Sequence, residues 1–173
     1  TRIHDTETAK VNKSYEVVEE IVSEAVGRFK KRQPDAIVNV SIPEDYILLP
    51  MDALLIEQVI INLLDNAHTH SGNKQGISFY VKDEDTCVSF HIRDFGRGIK
   101  PSLIPVIFDG ISTRNMDTPD SNRGMGIGLS ICKTIIDAHN GTITANNCES
   151  GAEFTFILPK EDSDACKVQY SHH

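Results

Sequence analysis

Two asparagines four residues apart, Asn62 and Asn66, are side chains whose type and spacing suggest chemistry. On a helix, that spacing places the two amides one turn apart on the same face. Neutral amides beside an apolar stripe are costly to bury unless another group hydrogen-bonds or coordinates them. Taken alone, the pair is more typical of a solvated polar edge, so its interpretation depends on the segments that follow.

The second candidate is a carboxylate followed by two glycines, Asp94-Phe-Gly96-Arg-Gly98, at the end of a predicted strand. An ionised carboxylate only accepts hydrogen bonds, so it suits a donor such as an exocyclic amine and repels a triphosphate. The alternative is an aspartate that initiates a turn, which is a very common use of this residue.

The third candidate is the run of Gly124, Gly126 and Gly128 at the predicted entrance of a helix. Alternate glycines there let backbone N–H groups approach a phosphate, and the helix dipole adds partial positive charge. A flexible hinge or a tight turn explains the same run equally well. It is neither a P-loop nor a dinucleotide fingerprint, because the required lysine is missing and the third glycine lies one position early. Together, the three candidates would place a base at Asp94 and phosphates near Gly124.

Hydrophobic periodicity predicts the elements that must hold these side chains. Apolar residues recur at helical spacing from Leu55 to Ala67, and Asp52 is a plausible N-cap, which predicts a helix over 52–70. The other predicted elements are an amphipathic helix from about Tyr15 to Arg32, strands at 36–42 and 46–49, a hairpin of 77–82 and 86–92, a short helix from Pro101 to near Phe108, a helix from the glycine run to His139, and a hairpin of 142–145 and 152–158. This order predicts an α+β fold with helices on one face of a mainly antiparallel sheet. Segment 109–123 is predicted to be a functional lid or a disordered connection.

Length and composition limit the classes of function. The 173 residues fit one domain, which we place at 13–160 between a linker at 1–12 and a polar tail at 161–173. A net charge of −8 argues against nucleic acid as a partner. No apolar run approaches the roughly 20 residues of a membrane span, so we expect no direct membrane contact by this chain. The four widely spaced cysteines form no metal or redox motif and are expected to be free thiols.

The motifs resemble a known family when they are taken in order. Asn62-x-x-x-Asn66-Ala67, Asp94-x-Gly96-x-Gly98-Ile99, Phe108 and Gly124-x-Gly126-x-Gly128-Leu129 are similar to the N, G1, F and G2 boxes of the ATP-binding domain of sensor histidine kinases. The fold that this resemblance implies is a two-layer α/β sandwich, the GHKL fold shared with gyrase-type ATPases and Hsp90-like chaperones. Within the family, segments 19–25 and 55–64 look most like the potassium-responsive sensor kinases that control a high-affinity K⁺ pump.

The resemblance implies a role for each candidate. Asn66 would bind Mg²⁺ through its side-chain oxygen, and Asn62 would support the phosphate side. Asp94 would accept a hydrogen bond from the adenine amine, with Gly96 and Gly98 letting the loop lie against the base. The remaining nucleotide-binding positions of the family pattern fall on His70, Ile99, Gly124, Gly126, Gly128 and Leu129, with Arg114 and Arg123 as the cations of a closing lid.

The residue type at position 62 bears on whether such a domain hydrolyses ATP or transfers its γ-phosphoryl group. In the related ATPases, a glutamate commonly stands four residues before the metal-binding asparagine and activates water, whereas an amide cannot take a proton at neutral pH. The resemblance therefore implies transfer of the γ-phosphoryl group of Mg-ATP to a histidine on a separate dimerisation and phosphoacceptor domain of the full-length protein. It also implies an indirect response-regulator partner, a cytoplasmic domain of a membrane-anchored parent, and no kinase activity by this part alone.

Two departures from the family pattern keep other functions open. Thr69 stands where many relatives have a lysine near the phosphates, and Ile111 replaces the second phenylalanine of the F box. These differences favour, as an alternative, a non-catalytic nucleotide-binding regulatory module. An anti-sigma-type serine kinase of related fold is a third candidate.

Overall fold

The structure, a computed structural model, describes residues 11–71, 76–110 and 120–161, with the side chains of 120–127 outside that description. Its elements are β1 (Ser14–Val17), α1 (Val18–Arg32), β2 (Val38–Ser41), β3 (Leu48–Met51), α2 (Ala53–Ser71), β4 (Ile77–Asp83), β5 (Cys87–Arg93), a 3₁₀ helix (Pro101–Val106), α3 (Asp120–Ala138), β6 (Thr142–Asn147) and β7 (Ala152–Pro159). Within the described residues, no helix is both long enough and apolar enough to cross a membrane.

The strands form two sheets. The larger has five strands in the order β2-β4-β5-β7-β6, and only its β2–β4 pair is parallel. The smaller pairs β1 with β3 in antiparallel fashion. The predicted α+β fold with a mainly antiparallel sheet is therefore confirmed.

One face of the five-stranded sheet packs against the helices. Phe79, Phe90 and Phe156 are fully buried on this face, and the rings of Phe90 and Phe156 stack with centroids 4.5 Å apart. Alternate residues point to the other face, as strand geometry requires. There Tyr80 stacks on His91 and donates a hydrogen bond to Glu153 at 2.8 Å. Burial, followed by this hydrogen bond, raises the pKa of Tyr80 to about 12.

Three predicted elements begin elsewhere. Tyr15 is not in the first helix, because Ser14–Val17 pairs with Leu48–Met51 and α1 starts only at Val18. The strand predicted at 46–49 is correspondingly shifted, and the strand predicted at 36–42 is reduced to Val38–Ser41. Pairing between distant segments overrides the local helical pattern around Tyr15.

The two later helices also differ from prediction. The segment after Pro101 forms a 3₁₀ helix to Val106, and Pro105 inside it lacks the N–H that a regular α-helix would use. α3 begins at Asp120, so the glycine run lies inside the helix and not at its entrance. Aspartate and serine are favoured at helix starts, and each internal glycine costs only about 1 kcal/mol, which permits the earlier start. The expectation that Gly124 supplies free helix-terminal N–H groups is therefore wrong for this structure.

A buried histidine joins the start of α2 to the end of α3. His139 is 1% exposed, and its Nε2 accepts a hydrogen bond from the backbone N–H of Asp52 at 3.0 Å, while Nδ1 lies 2.8 Å from the carbonyl oxygen of Ile135. Asp52 itself caps α2, as predicted, by accepting from the N–H of Leu55. This arrangement requires neutral imidazole with the proton on Nδ1.

We expect His139→Ala to lower the free energy of unfolding by about 2 to 3 kcal/mol, because it leaves the part-buried N–H of Asp52 and the buried carbonyl oxygen of Ile135 without their partner. Urea denaturation of the two proteins measures the difference. Lys133→Ala on the same helix is the control, since it removes only an exposed ion pair with Asp137 and should change stability by about 0.5 kcal/mol or less. Equal effects of the two substitutions would contradict this role for His139.

Candidate functional site

The last three turns of α2 carry the asparagine pair, as predicted. The side-chain oxygen of Asn66 is buried and has no hydrogen-bond partner among the described residues. Asn62 lies one turn earlier and is within hydrogen-bond reach of the Cys132 thiol, which burial gives a pKa raised to about 12. A buried amide oxygen without a partner is costly. The side-chain oxygen of Asn66 is therefore available to coordinate or accept a hydrogen bond from a bound ligand.

Asp94 lies immediately after β5 and is 3% exposed. Its Oδ1 accepts a hydrogen bond from the N–H of Gly96 at 2.9 Å. Burial raises the pKa of this carboxyl group, and the backbone N–H groups of Gly96 and Ala152 partly oppose the shift. The aspartate therefore initiates a turn, as the simpler interpretation predicted, and is also a buried acceptor with lone pairs to spare.

The Asp94 loop lies directly against the end of α2. A side chain at Gly96 would overlap the carbonyl oxygen of His70, so only glycine allows the loop to approach this closely. His70 is half-buried, and burial lowers its pKa, while the charge of Asp94 raises it and that of Arg97 lowers it. The structure thus brings the predicted residues His70, Asp94 and Gly96 together.

The register between α2 and α3 locates the glycine run. His139 meets Asp52 at one end of the pair, and seven residues away on each helix the Cys132 thiol donates to the carbonyl oxygen of Val59 at 3.8 Å. The two helices are therefore antiparallel. Because both rise by the same distance per residue, a step forward along α2 corresponds to an equal step backward along α3. One further turn places Gly128 alongside the turn of α2 that contains Asn62. A side chain at Gly128 would meet no atom of the described residues within 4 Å, so this position of α3 faces space that they leave open.

The other predicted site residues differ in burial, and some lie outside the described residues. Leu129 is buried in the hydrophobic core, and Ile99 is partly buried and packs against this core. Thr69 is exposed. Gly124, Gly126 and Arg123 belong to α3, but their side-chain surroundings lie outside the described residues, as do Arg114 and Ile111 altogether.

Three residues at the site were not predicted. Asn147 and Gly151, at the ends of the β6–β7 turn, contact the Asp94 loop, and Cys132 contacts Asn62. The Ser-Gly pair at 150–151 signals a turn. Nothing in the sequence says that this turn meets a loop fifty residues earlier, because that contact depends on the pairing of β5 with β7.

Comparison with known families identifies the architecture. A model described as "Histidine kinase-, DNA gyrase B-, and HSP90-like ATPase" matches residues 51–162, which is more than half of the chain. The chain belongs to this ATPase family. The matched range contains Asn62, Asn66, Asp94 and the glycine run, so the site described above lies inside the family's ATP-binding domain.

Similar proteins agree with this assignment. The chain is 47% identical over 158 residues to a protein named sensor protein KdpD from Clostridium acetobutylicum, covering 91% of this chain and 18% of that protein. It is 35% identical to the sensor protein KdpD of Escherichia coli, covering 87% of this chain and 17% of that protein. It therefore spans less than a fifth of the length of these relatives.

A solved structure supports the same fold. The catalytic domain of the histidine kinase ThkA, in a nucleotide-free form, superposes with a TM-score of 0.72 at 28% identity, covering 86% of this chain and 96% of that one. The predicted histidine kinase type of ATP-binding domain is thereby confirmed.

We expect Gly96→Ala to weaken nucleotide binding at least tenfold and to lower stability by about 1 to 3 kcal/mol, because a methyl group there must push the Asp94 loop away from α2. Calorimetric titration with ATP and thermal denaturation measure the two effects. Gly27→Ala is the matched control, since Gly27 lies in α1 and a side chain there would meet no atom within 4 Å in the part of the chain that the structure describes. This substitution should stabilise the protein slightly. Wild-type binding by Gly96→Ala would contradict the close packing of the loop.

Proposed function

We propose that this domain binds Mg-ATP between the end of α2, the Asp94 loop and α3, and transfers the γ-phosphoryl group to a histidine on another domain of its parent protein. The observation that carries the proposal is the buried side-chain oxygen of Asn66, which has no hydrogen-bond partner within the described ranges and lies on a helix whose last turn touches the loop of a buried carboxylate. The family relationship supports the choice of ATP.

The chemistry of Asn66 fits a magnesium ion. Mg²⁺ prefers oxygen ligands and keeps several waters, so one amide oxygen from the protein is sufficient together with the phosphates. The described residues contain no cluster of three or more histidine, cysteine, aspartate or glutamate side chains for a metal. Magnesium would neutralise phosphate charge, while the protein's part is to hold the nucleotide in a fixed orientation.

Asp94 supports the choice of adenine. Its buried carboxylate uses Oδ1 for the N–H of Gly96 and retains acceptor capacity for a donor from the base, such as the 6-amino group. Guanine presents a carbonyl oxygen at the corresponding position, which the carboxylate would repel. His70, Gly98 and Ile99 lie in the two segments that meet beside Asp94 and would contact the base or ribose.

The side chain of Asn62 favours transfer over hydrolysis. An amide at this position cannot accept a proton from water, so the domain lacks a general base there. Imidazole is itself nucleophilic and needs less activation than water. The names of the KdpD and ThkA relatives support a sensor histidine kinase as the parent protein. A response regulator as the later acceptor of the phosphoryl group stays a prediction. The potassium stimulus stays a prediction.

Replacing Asp94 with Asn should lower ATP affinity at least tenfold, because the amide presents a donor to the adenine amine where an acceptor is needed. Calorimetric titration in excess Mg²⁺ measures the change. Asn66→Ala should lower affinity mainly when Mg²⁺ is present, since it removes a metal ligand and leaves the base site intact. Wild-type affinity in both variants would disprove the site.

ATP affinity should depend on pH through Asp94. Its pKa is raised by burial, so the carboxylate becomes protonated, and loses acceptor capacity, at a higher pH than an ordinary aspartate. Affinity should be constant near neutral pH and fall on acidification above the usual aspartate range. Asp94→Asn should abolish this fall, whereas His70→Gln should keep it. A fall that disappears only with His70→Gln would assign the titration to the imidazole.

Phosphotransfer tests the activity itself. The domain is incubated with γ-labelled ATP, Mg²⁺ and the separately prepared histidine-bearing domain of the parent protein. We expect acid-labile phosphohistidine on that domain, and about a hundredfold less with Asn66→Ala, in line with the loss of one charge-stabilising group. Acid-stable phosphoserine on another protein would indicate an anti-sigma-type kinase, and binding without transfer a regulatory module.

A further inference from the structure

Asn147, the last residue of β6, holds the Asp94 loop by two hydrogen bonds from one side chain. Its Oδ1 accepts from the backbone N–H of Ile99 at 2.7 Å, and its Nδ2 donates to the carbonyl oxygen of Ile99 at 2.8 Å. Only a side chain with both a donor and an acceptor can pair with a backbone unit in this way, as one strand does with its neighbour. The contact joins residues 48 positions apart in the sequence.

The glycine before Ile99 makes this contact possible. Gly98 has a φ of +83°, a conformation that other residues seldom adopt. A side chain at Gly98 would lie 2.7 Å from the Asn147 oxygen and 3.3 Å from the carbonyl oxygen of Gly151. The second glycine of the loop therefore serves its packing on the β6–β7 turn, in addition to any approach to a ligand.

The β6–β7 turn holds the start of the same loop. The N–H of Asp94 donates to the carbonyl oxygen of Ala152 at 2.9 Å, and the hydroxyl of Ser150 donates to the carbonyl oxygen of Phe95 at 3.4 Å. A side chain at Gly151, whose φ is +85°, would overlap the carbonyl oxygen of Asp94. The loop is thus fixed at both ends by residues 147–152.

We propose that Asn147 is a positioning residue for base recognition: through Ile99 it fixes the loop that orients the Asp94 carboxylate, and it thereby sets the preference for a purine with an exocyclic amine. This inference rests on the proposed function, because it assumes that Asp94 accepts from the adenine amine. In this role, Asn147 would act through its two hydrogen bonds to Ile99 and would not itself contact the nucleotide.

The test compares two nucleotides on the same protein. ATP and purine riboside triphosphate differ only in the exocyclic amine, so the ratio of their affinities reports the contact between Asp94 and the amine. In the wild-type domain, we expect ATP to bind about tenfold more tightly than the analogue, the equivalent of one well-formed hydrogen bond to a charged group. In Asn147→Leu, which has a similar shape but no polar group, we expect the ratio to fall to less than about threefold.

Two further variants keep the test decisive. Asn147→Asp retains the acceptor for the Ile99 N–H but replaces the donor with a second acceptor oxygen, which the Ile99 carbonyl oxygen repels. Its ratio should lie between those of the other two proteins. Asn146→Leu is the matched control, because successive residues of β6 point to opposite faces of the sheet and Asn146 forms no hydrogen bond to residues 94–99 among the described residues. It should keep the wild-type ratio. Thermal denaturation of each variant establishes that the folded fraction is equal.

The outcomes separate the inference from its premise. A wild-type ratio near one would overturn the assignment of Asp94, and the inference with it. A normal wild-type ratio that persists in Asn147→Leu would overturn the inference alone, whether both affinities stay constant or fall together. Loss of folding in both Asn147 variants would also overturn it, since the residue would then serve general stability.

Discussion

The structure depends on one constraint: a carboxylate buried at the junction of three segments that are distant in the sequence. Asp94 is 3% exposed where the end of β5 meets the last turn of α2 and the β6–β7 turn. Burying a charge is costly unless hydrogen bonds replace the lost water. Two backbone N–H groups, from Gly96 and Ala152, do so in part, while burial still raises the pKa of the carboxyl group. A ligand that donates a hydrogen bond would complete it.

Glycines are required because the three segments meet so closely. Gly96 allows contact with the end of α2, and Gly151 allows contact with the backbone of Asp94 itself. Both are positions where a side chain would occupy space that a backbone carbonyl already fills. The same geometry links stability to binding, since separating any two of the segments exposes or displaces the carboxylate.

The sequence predicts the elements that depend on local pattern. The long helix with Asn62 and Asn66, its Asp52 cap and both hairpins follow from periodicity and turn residues, and the family motifs identify Asp94 and Asn66 as ligand-binding candidates. The short strand at Ser14–Val17 was missed because its stability comes from pairing with Leu48–Met51, which no local pattern reveals. Asn147 was missed for the same reason: its partner, Ile99, is adjacent only after the sheet has formed.

The most direct test is a crystal structure of the domain with Mg²⁺ and a non-hydrolysable ATP analogue. We expect the adenine amine within hydrogen-bond distance of the Asp94 carboxylate, and the metal about 2.1 Å from the side-chain oxygen of Asn66. A nucleotide bound on another surface, or a metal held without Asn66 while the base lies away from Asp94, would contradict the account.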